Sequence, residues 1–320
     1  MISEGDKLPR HGSASGRHAA EKRPLGSVLT RQQRIAEMAK KYGDSPLSTL
    51  SHNIDLVWLH EAFRRLNRNS ATGVDGQSVA AYGERLEENL RDLLERVKSG
   101  RYRAPPVKRG YVPKDGKELR PIGIPTTENK VLERAVVMLL EPIYEACLDD
   151  GSYGFRNRRS AHQALATIRE HIVERDGCWV VDVDVRKYFD TIPHDRLRAI
   201  IRQRVKDGVL LRLIGKWLKA GTLEAGRISY SDTGTPQGGV ISPMLSNIYL
   251  HEVLDSWFVE EIAPQLQGSP KLVRFADDFV LLLESWEDAE RMLELLSVRF
   301  EEYGLTIHPE KTRIVDFRHP

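Results

Sequence analysis

Asp277 and Asp278 stand side by side in VRFADDFVLLL, Val273 to Leu283, between apolar strand-formers. Adjacent carboxylates repel each other, and two readings account for them. A hairpin turn with solvated acids suffices, because aspartate is a common turn residue. A divalent-metal site is the sharper alternative, because hard cations take carboxylate oxygens held at close quarters. The second reading needs a third acid from elsewhere in the chain. In VVDVDV, Val180 to Val185, period-two alternation puts Asp182 and Asp184 on one strand face and Val181, Val183 and Val185 on the other. Two acids on a central strand are costly without partners or ions. Three carboxylates from two adjacent strands can hold two magnesium ions roughly 3.5 to 4 Å apart, clamping the attacking and leaving oxygens of an in-line phosphoryl displacement. A nuclease could use the same clamp, so metals alone do not identify the reaction.

The elements that must position these acids follow from periodicity. CWVVDVDV, Cys178 to Val185, reads as a strand, and PHDRLRAIIRQRV after it as a helix with Leu197, Ile200, Ile201 and Val205 on one face. A second helix starts at Ser242 and Pro243. LVRF and FVLLL form a hairpin around the acids, and Ser285 with Asp288 resembles a capping box for a helix that Gly304 terminates. LTIH and RIVDF are extended. Residues 178–316 therefore read strand, helices, hairpin, helix, strand, the split βαβ arrangement of a ferredoxin-like sheet, with the first strand beside the hairpin. Earlier in the chain, helices are predicted from Asn53, across Glu84 to Val97, across Lys130 to Cys147 with a bend at Pro142, and after a cap at Ser160. Pro105, Pro106 and Pro113 confine the segment around them to edge or irregular positions.

Composition sets the outer limits. The 320 residues allow one large domain or two to three subdomains. Two cysteines, Cys147 and Cys178, leave no basis for a disulfide framework or a cysteine-rich zinc site, so a cytoplasmic location is expected. No apolar run reaches the roughly 18 residues of a membrane span, and no membrane association is expected. Net charge is +2, but Lys98 to Arg120 carries eight basic and two acidic residues, with Tyr102 and Tyr111 interleaved. Arg156, Arg158 and Arg159 follow, and acids crowd Glu252 to Glu302. A positive lobe beside an acidic site suits a phosphate backbone and bound cations respectively. Residues 1–50, rich in Ser, Gly, Lys and Arg, read as a mobile or lightly structured basic arm.

Seven ordered motifs carry a resemblance that covers Asn53 to the C-terminus. They are ATGVDG (Ala71 to Gly76), VPKDGKELRPIGIP (Val112 to Pro125), SYGFRNRRSAHQAL (Ser152 to Leu165), DVRKYFDTIPH (Asp184 to His194), GTPQGGVISPMLSNIYL (Gly234 to Leu250), RFADDFVLL (Arg274 to Leu282) and GLTIHPEKT (Gly304 to Thr312). In these the chain resembles the reverse transcriptase domain of group II intron-encoded proteins. The resemblance implies an α+β fold of polymerase fingers and palm: fingers and connecting helices over 51–175, palm with the metal site over 176–320, and no thumb or maturase domain before the chain stops at Pro320.

The resemblance also implies roles, residue by residue. Asp184, which opens DxxxxFD, becomes a metal ligand with Asp277 and Asp278, and Asp182 is a lesser candidate. Val185 offers its backbone carbonyl to a metal. Phe189 resembles the steric gate against a ribose 2′-hydroxyl, with a core aromatic as the plainer reading. Gln237 borders the incoming nucleotide, Lys114 and Arg120 grip its triphosphate, and Lys311 lies near the pyrophosphate. Phe275 stands where the family often has tyrosine. The implied activity is DNA synthesis with two Mg2+ ions, Mn2+ as a substitute, on an RNA template, intron RNA above all, from a DNA primer and dNTPs, with intron splicing and mobility as associated functions. The rival readings are a non-catalytic RNA-binding protein and a metal nuclease.

Overall fold

The structure, a computed structural model, describes residues 27–43, 45–113, 119–175, 178–235 and 238–318. Lys114 and Gln237 lie outside the described residues, as do residues 1–26 of the expected arm.

The chain is mixed α and β. Its first half is helical: α1 (Val28–Tyr42), α2 (Leu56–Arg64), α3 (Val79–Glu84) and α4 (Leu86–Lys98). The expectation of a lightly structured arm through residue 50 is corrected from Val28 onward. Ser27 caps α1, Ile35 is buried, and Arg31 ties the helix down by donating to Asp55 at 2.9 Å and to the Asn53 carbonyl at 3.1 Å. Ile35, with Val28, Met38 and Ala39 beside it, packs on the core while Leu29 and Tyr42 stay exposed, a weak pattern that a composition reading of the whole arm dilutes. α2 starts where Asp55 accepts from the Trp58 amide, and Trp58, Leu59, Ala62 and Phe63 are all buried.

β1 (Val107–Pro113) and β2 (Leu119–Ile124) pair antiparallel. β1 lies between β2 and the short strand Thr222–Glu224 but pairs with the latter only through Val107 and Lys108, so the segment keeps to the edge and irregular positions expected from its prolines. Pro105 and Pro106 precede it and Pro113 is its last residue, so neither end asks proline for a ladder hydrogen bond. α5 (Thr127–Tyr144) runs through the core, nearly all of it buried, and contains Pro142 two residues before its end; the Met138 carbonyl that Pro142 cannot bond accepts instead from the Gln32 side chain at 2.9 Å. α6 (Ala161–Glu174) starts from the expected Ser160 cap.

The remaining elements build the site: β3 (Trp179–Val183), α7 (Tyr188–Thr191), α8 (His194–Arg204), α9 (Gly208–Leu218), β4 (Thr222–Glu224), β5 (Arg227–Ser229), α10 (Ser242–Leu250), β6 (Lys271–Phe275), β7 (Asp278–Leu283), α11 (Trp286–Glu302) and β8 (Arg313–Asp316). α9 and the β4–β5 hairpin have no counterpart in the sequence reading. Asp207 fixes the start of α9, accepting from the Val209 and Leu210 amides with one oxygen and from the Leu50 and Ser51 amides with the other. At α11, Ser285 accepts from the Asp288 amide as expected, but Asp288 turns instead to the Gln267 amide, so the capping box is not reciprocal.

Two four-stranded sheets result. One has the order β2-β1-β4-β5, with β1 and β4 parallel. The other has the order β6-β7-β3-β8 and is antiparallel throughout. α6 packs on β6 and β7, where Ala164 joins Val180, Val273 and Leu282 in one apolar cluster. α11 covers β3 and β7 from the opposite side with Met292, Leu296 and Phe300, beside Val181, Val183 and Leu281 in the main core. Both faces of the sheet are therefore buried along most of its length.

Candidate active site

Strand register brings the acids together. β3 and β7 are antiparallel, and their paired register ends at Val183 opposite Phe279, so Asp184 and Asp278 are the next residues along the two neighbouring segments. Val180, Asp182 and Asp184 share one face by alternation, as do Leu282, Val280 and Asp278 on the neighbouring strand. Val180, Val280 and Leu282 pack with the α6 side. The same face carries carboxylates where the strands run on past that cluster. Asp277 completes the group from the two-residue turn Ala276-Asp277, closed by the pair Phe275 and Asp278.

The electrostatics agree with this convergence. Burial raises the Asp277 carboxyl above its ordinary range, helped by the charge of Asp184 and opposed by Arg120. Partial burial also raises Asp278, followed by the charges of Asp277, Asp184 and Asp182, with Arg120 again opposing. The donor set is all oxygen, and like charges directly opposed across strands are destabilising; both properties fit a hard divalent cation. As the side chains stand, no group of three or more His, Cys, Asp or Glu among the described residues is gathered to hold an ion. Asp184 is instead approached by Lys311 at 3.5 Å, and Asp182 by Arg313 at 3.2 Å.

Of the other sequence-derived residues that the structure describes, Arg120 and Lys311 reach these acids by charge, and Val185 adjoins Asp184 in the chain. Arg120 lies on β2, and its charge reaches both Asp277 and Asp278. Val185 is buried and bridged to Ile307; the flanking bonds run from the His308 amide to the Asp184 carbonyl and from the Arg186 amide to the Thr306 carbonyl, both 2.8 Å. The GLTIHPEKT segment is thus stitched along the end of β3, which puts Lys311 where it is. Phe189 is half-buried on α7, its ring edge-on to Tyr188 with centroids 5.3 Å apart. Its carbonyl accepts from the Thr235 amide at 2.8 Å, so the loop leading to Gln237 docks on the gate candidate.

Sequence reasoning missed the support beneath the turn. Arg274 is fully buried, donating to Asp255 from Nε at 2.8 Å and Nη2 at 2.5 Å, and from Nη1 to Asn247 at 3.0 Å and the Ala276 carbonyl at 2.9 Å. The signal was present as an arginine inside the otherwise apolar run LVRF. Glu133 was missed as well. This fully buried carboxylate on α5 accepts from Asn129 at 2.8 Å and from the Ile241 amide at 3.2 Å, anchoring the far end of the Gly234–Ile241 loop. Burial pushes its carboxyl up to about 7, against the opposing hydrogen bonds from the Ile241 and Val240 amides.

Comparison with known proteins identifies the company this arrangement keeps. Residues 112–318 match the family model described as reverse transcriptase (RNA-dependent DNA polymerase). Protein YkfC of Escherichia coli strain K12 is 36% identical over 258 residues, covering 71% of this chain and 68% of that protein. The group II intron-encoded protein LtrA of Lactococcus lactis subsp. cremoris is 38% identical over 245 residues, 73% of this chain but 40% of its own length. An uncharacterized 91 kDa protein in the cob intron of Schizosaccharomyces pombe is 29% identical over 307 residues, and this chain spans 38% of it.

Proposed function

The chain belongs to the reverse transcriptase family of the group II intron-encoded kind, and on that premise we propose that it is an RNA-directed DNA polymerase, adding dNTPs to a DNA primer on an RNA template. One observation carries the reading: the β3–β7 register ends at Val183 and Phe279, which leaves Asp184 and Asp278 as the next residues of neighbouring strands, beside the turn bearing Asp277. The antiparallel sheet is read as a ferredoxin-like palm, which the strand order β6-β7-β3-β8 supports. The β1–β2 hairpin is read as part of the fingers.

Asp184, Asp277 and Asp278, with the Val185 carbonyl, are the groups that would hold two Mg2+ ions, or Mn2+ in their place. When bound, such ions lower the pKa of the attacking 3′-hydroxyl and stabilise the pyrophosphate leaving group. The protein's own residues do the rest. The aspartates hold negative charge at one end of the sheet, and Arg120 presents a planar guanidinium suited to phosphate oxygens. Phe189 sets an apolar wall against a 2′-hydroxyl. Lys114 and Gln237 are assigned to triphosphate gripping and to the edge of the nucleotide site on motif grounds alone.

The template in this reading is intron RNA, and splicing and mobility are the associated activities. A cytoplasmic setting accords with two free thiols, Cys147 and Cys178, and no helix among the described residues is long and apolar enough to cross a membrane.

Primer extension tests the proposal. The full chain, given an annealed RNA template and DNA primer, is expected to add dNTPs only with Mg2+ or Mn2+, and Asp277→Asn is expected to abolish addition while leaving RNA affinity intact. A second reading, RNA binding without synthesis, is favoured by one observation, the ion pair that occupies Asp184. Salt-sensitive RNA binding with no nucleotide addition under any divalent ion decides for it.

A further inference from the structure

Arg274 takes no part in the chemistry proposed above, yet it is a guanidinium with no solvent exposure, one residue before the end of β6. A buried charge persists only where its donors are satisfied, and the partners of Arg274 are informative. Two donors go to the buried carboxylate of Asp255 and one is shared between Asn247 and the Ala276 carbonyl. Ala276 immediately precedes Asp277 and has φ of 62°, a backbone region that residues with a Cβ avoid. At this first position of a two-residue hairpin turn, glycine is the common solution when φ is positive.

The same residue is gripped from its amide side. A Cβ added to Gly154 would overlap the Ala276 nitrogen, so the 151–154 segment approaches as closely as glycine permits. That segment runs beside β6, with the Arg274 amide donating to the Gly151 carbonyl and the Tyr153 amide to the Arg274 carbonyl, both at 2.8 Å. Asn247 closes the circuit, accepting from Arg274 and donating to the Gly154 carbonyl at 2.7 Å. The turn is thus clasped between a glycine-lined strand and a buried guanidinium.

We propose that Arg274 is a positioning residue: anchored by Asp255 and Asn247, it pins the Ala276 carbonyl and so fixes the turn that sets Asp277 and Asp278 against Asp184. The proposal rests on the reading of these aspartates as the working carboxylates. It differs from a role in folding alone, because a fold-only ion pair has no reason to spend a donor on the strained turn.

The test uses the full chain and Mn2+ alone, its binding followed by loss of the free-ion electron paramagnetic resonance signal, beside the Mg2+ dependence of primer extension. Arg274→Lys keeps the charge for Asp255 but loses the planar fork. Asn247→Ala and Gly154→Ala leave the Arg274–Asp255 pair in place, the first removing the clasp and the second pushing the turn. Each is expected to weaken Mn2+ binding and raise the half-saturating Mg2+ by about tenfold or more, the usual effect of losing an outer support of a metal site, with RNA affinity and the KM for dNTP unchanged. Folded Asn247→Ala or Gly154→Ala protein with parental Mn2+ affinity overturns the proposal, and so does loss of the fold in all three variants. Asp277→Asn separates the two levels. If it binds Mn2+ and extends primers like the parent, the underlying reading fails; if it is inactive while Arg274→Lys behaves as the parent, the positioning claim alone fails.

Discussion

The ammonium group of Lys311 lies 3.5 Å from a carboxylate oxygen of Asp184, and both side chains are partly open to solvent. The motif containing Lys311 suggested a place near a departing pyrophosphate. The structure puts its charge on the first carboxylate of the site, where it competes with any cation. Lys311→Met is therefore expected to tighten Mn2+ binding by up to about fivefold, the worth of an exposed ion pair, while slowing nucleotide addition. Titration of Mn2+ against the variant checks this; unchanged affinity means that the ammonium group does not compete for Asp184.

Asp278→Asn should move stability and activity in opposite directions. The Asp278 carboxyl is raised by partial burial and by the charges of Asp277, Asp184 and Asp182. Removing one of the like charges is expected to stabilise the metal-free protein by a few tenths of a kcal/mol, and at most about 1 after solvent screening, while primer extension is lost. Thermal melts in chelator and an extension assay read the two effects. A lower melting point in the variant would show that the carboxylates are not in repulsive contact.

Phe189→Ala should relax sugar selection. The ring is half-buried against Tyr188, and the backbone around it is held by the Thr235 amide, so truncation removes a wall without releasing the loop. Discrimination against ribonucleotides is expected to fall by a factor on the order of 100, the scale on which an apolar pocket rejects an added hydroxyl. The ratio of kcat/KM for dNTP and NTP measures it. A parental ratio returns Phe189 to an ordinary core role.

Glu133 supplies a pH signature. Its carboxyl has a folded value of about 7 against an ordinary 4.5, so the folded chain retains a proton that the unfolded chain releases. Its contribution to stability is therefore fully present below about pH 4.5 and is lost as pH rises through about 7. The effect is at most about 3 kcal/mol. Glu133→Gln, compared with the parent by urea unfolding from pH 5 to 8, is expected to flatten the curve in that window. Parallel curves would mean that Glu133 is ionised in the folded chain throughout.

Much of the site's local chemistry could be read along the chain. Alternation in VVDVDV separated Asp182 and Asp184 from Val181, Val183 and Val185, and burial follows it from Val181 to Val183. The turn acids, the Ser160 and Ser285 caps and Pro243 in the first turn of α10 were local signals that local structure obeys, whereas Ser242, expected to cap α10, is its first helical residue and Ile241 holds the cap position. α1 and α9 were not legible: the first is diluted by polar surroundings, and the second depends on Asp207 reaching the Leu50 and Ser51 amides 157 and 156 positions away.

What the order of residues determined by itself was the inventory: which strands carry acids, on which face, and that glycine and arginine occur at unusual places beside them. Only the tertiary structure decided partnership. It brought the charge of Asp184 to bear on Asp277 and Asp278, gave Asp182 to Arg313 and Lys311 to Asp184, and turned Arg274 inward to hold Ala276. The physical reason is range. Alternation and capping act over a few residues through backbone geometry, whereas a carboxylate's partner is settled by strand register and burial between segments some ninety or more positions apart.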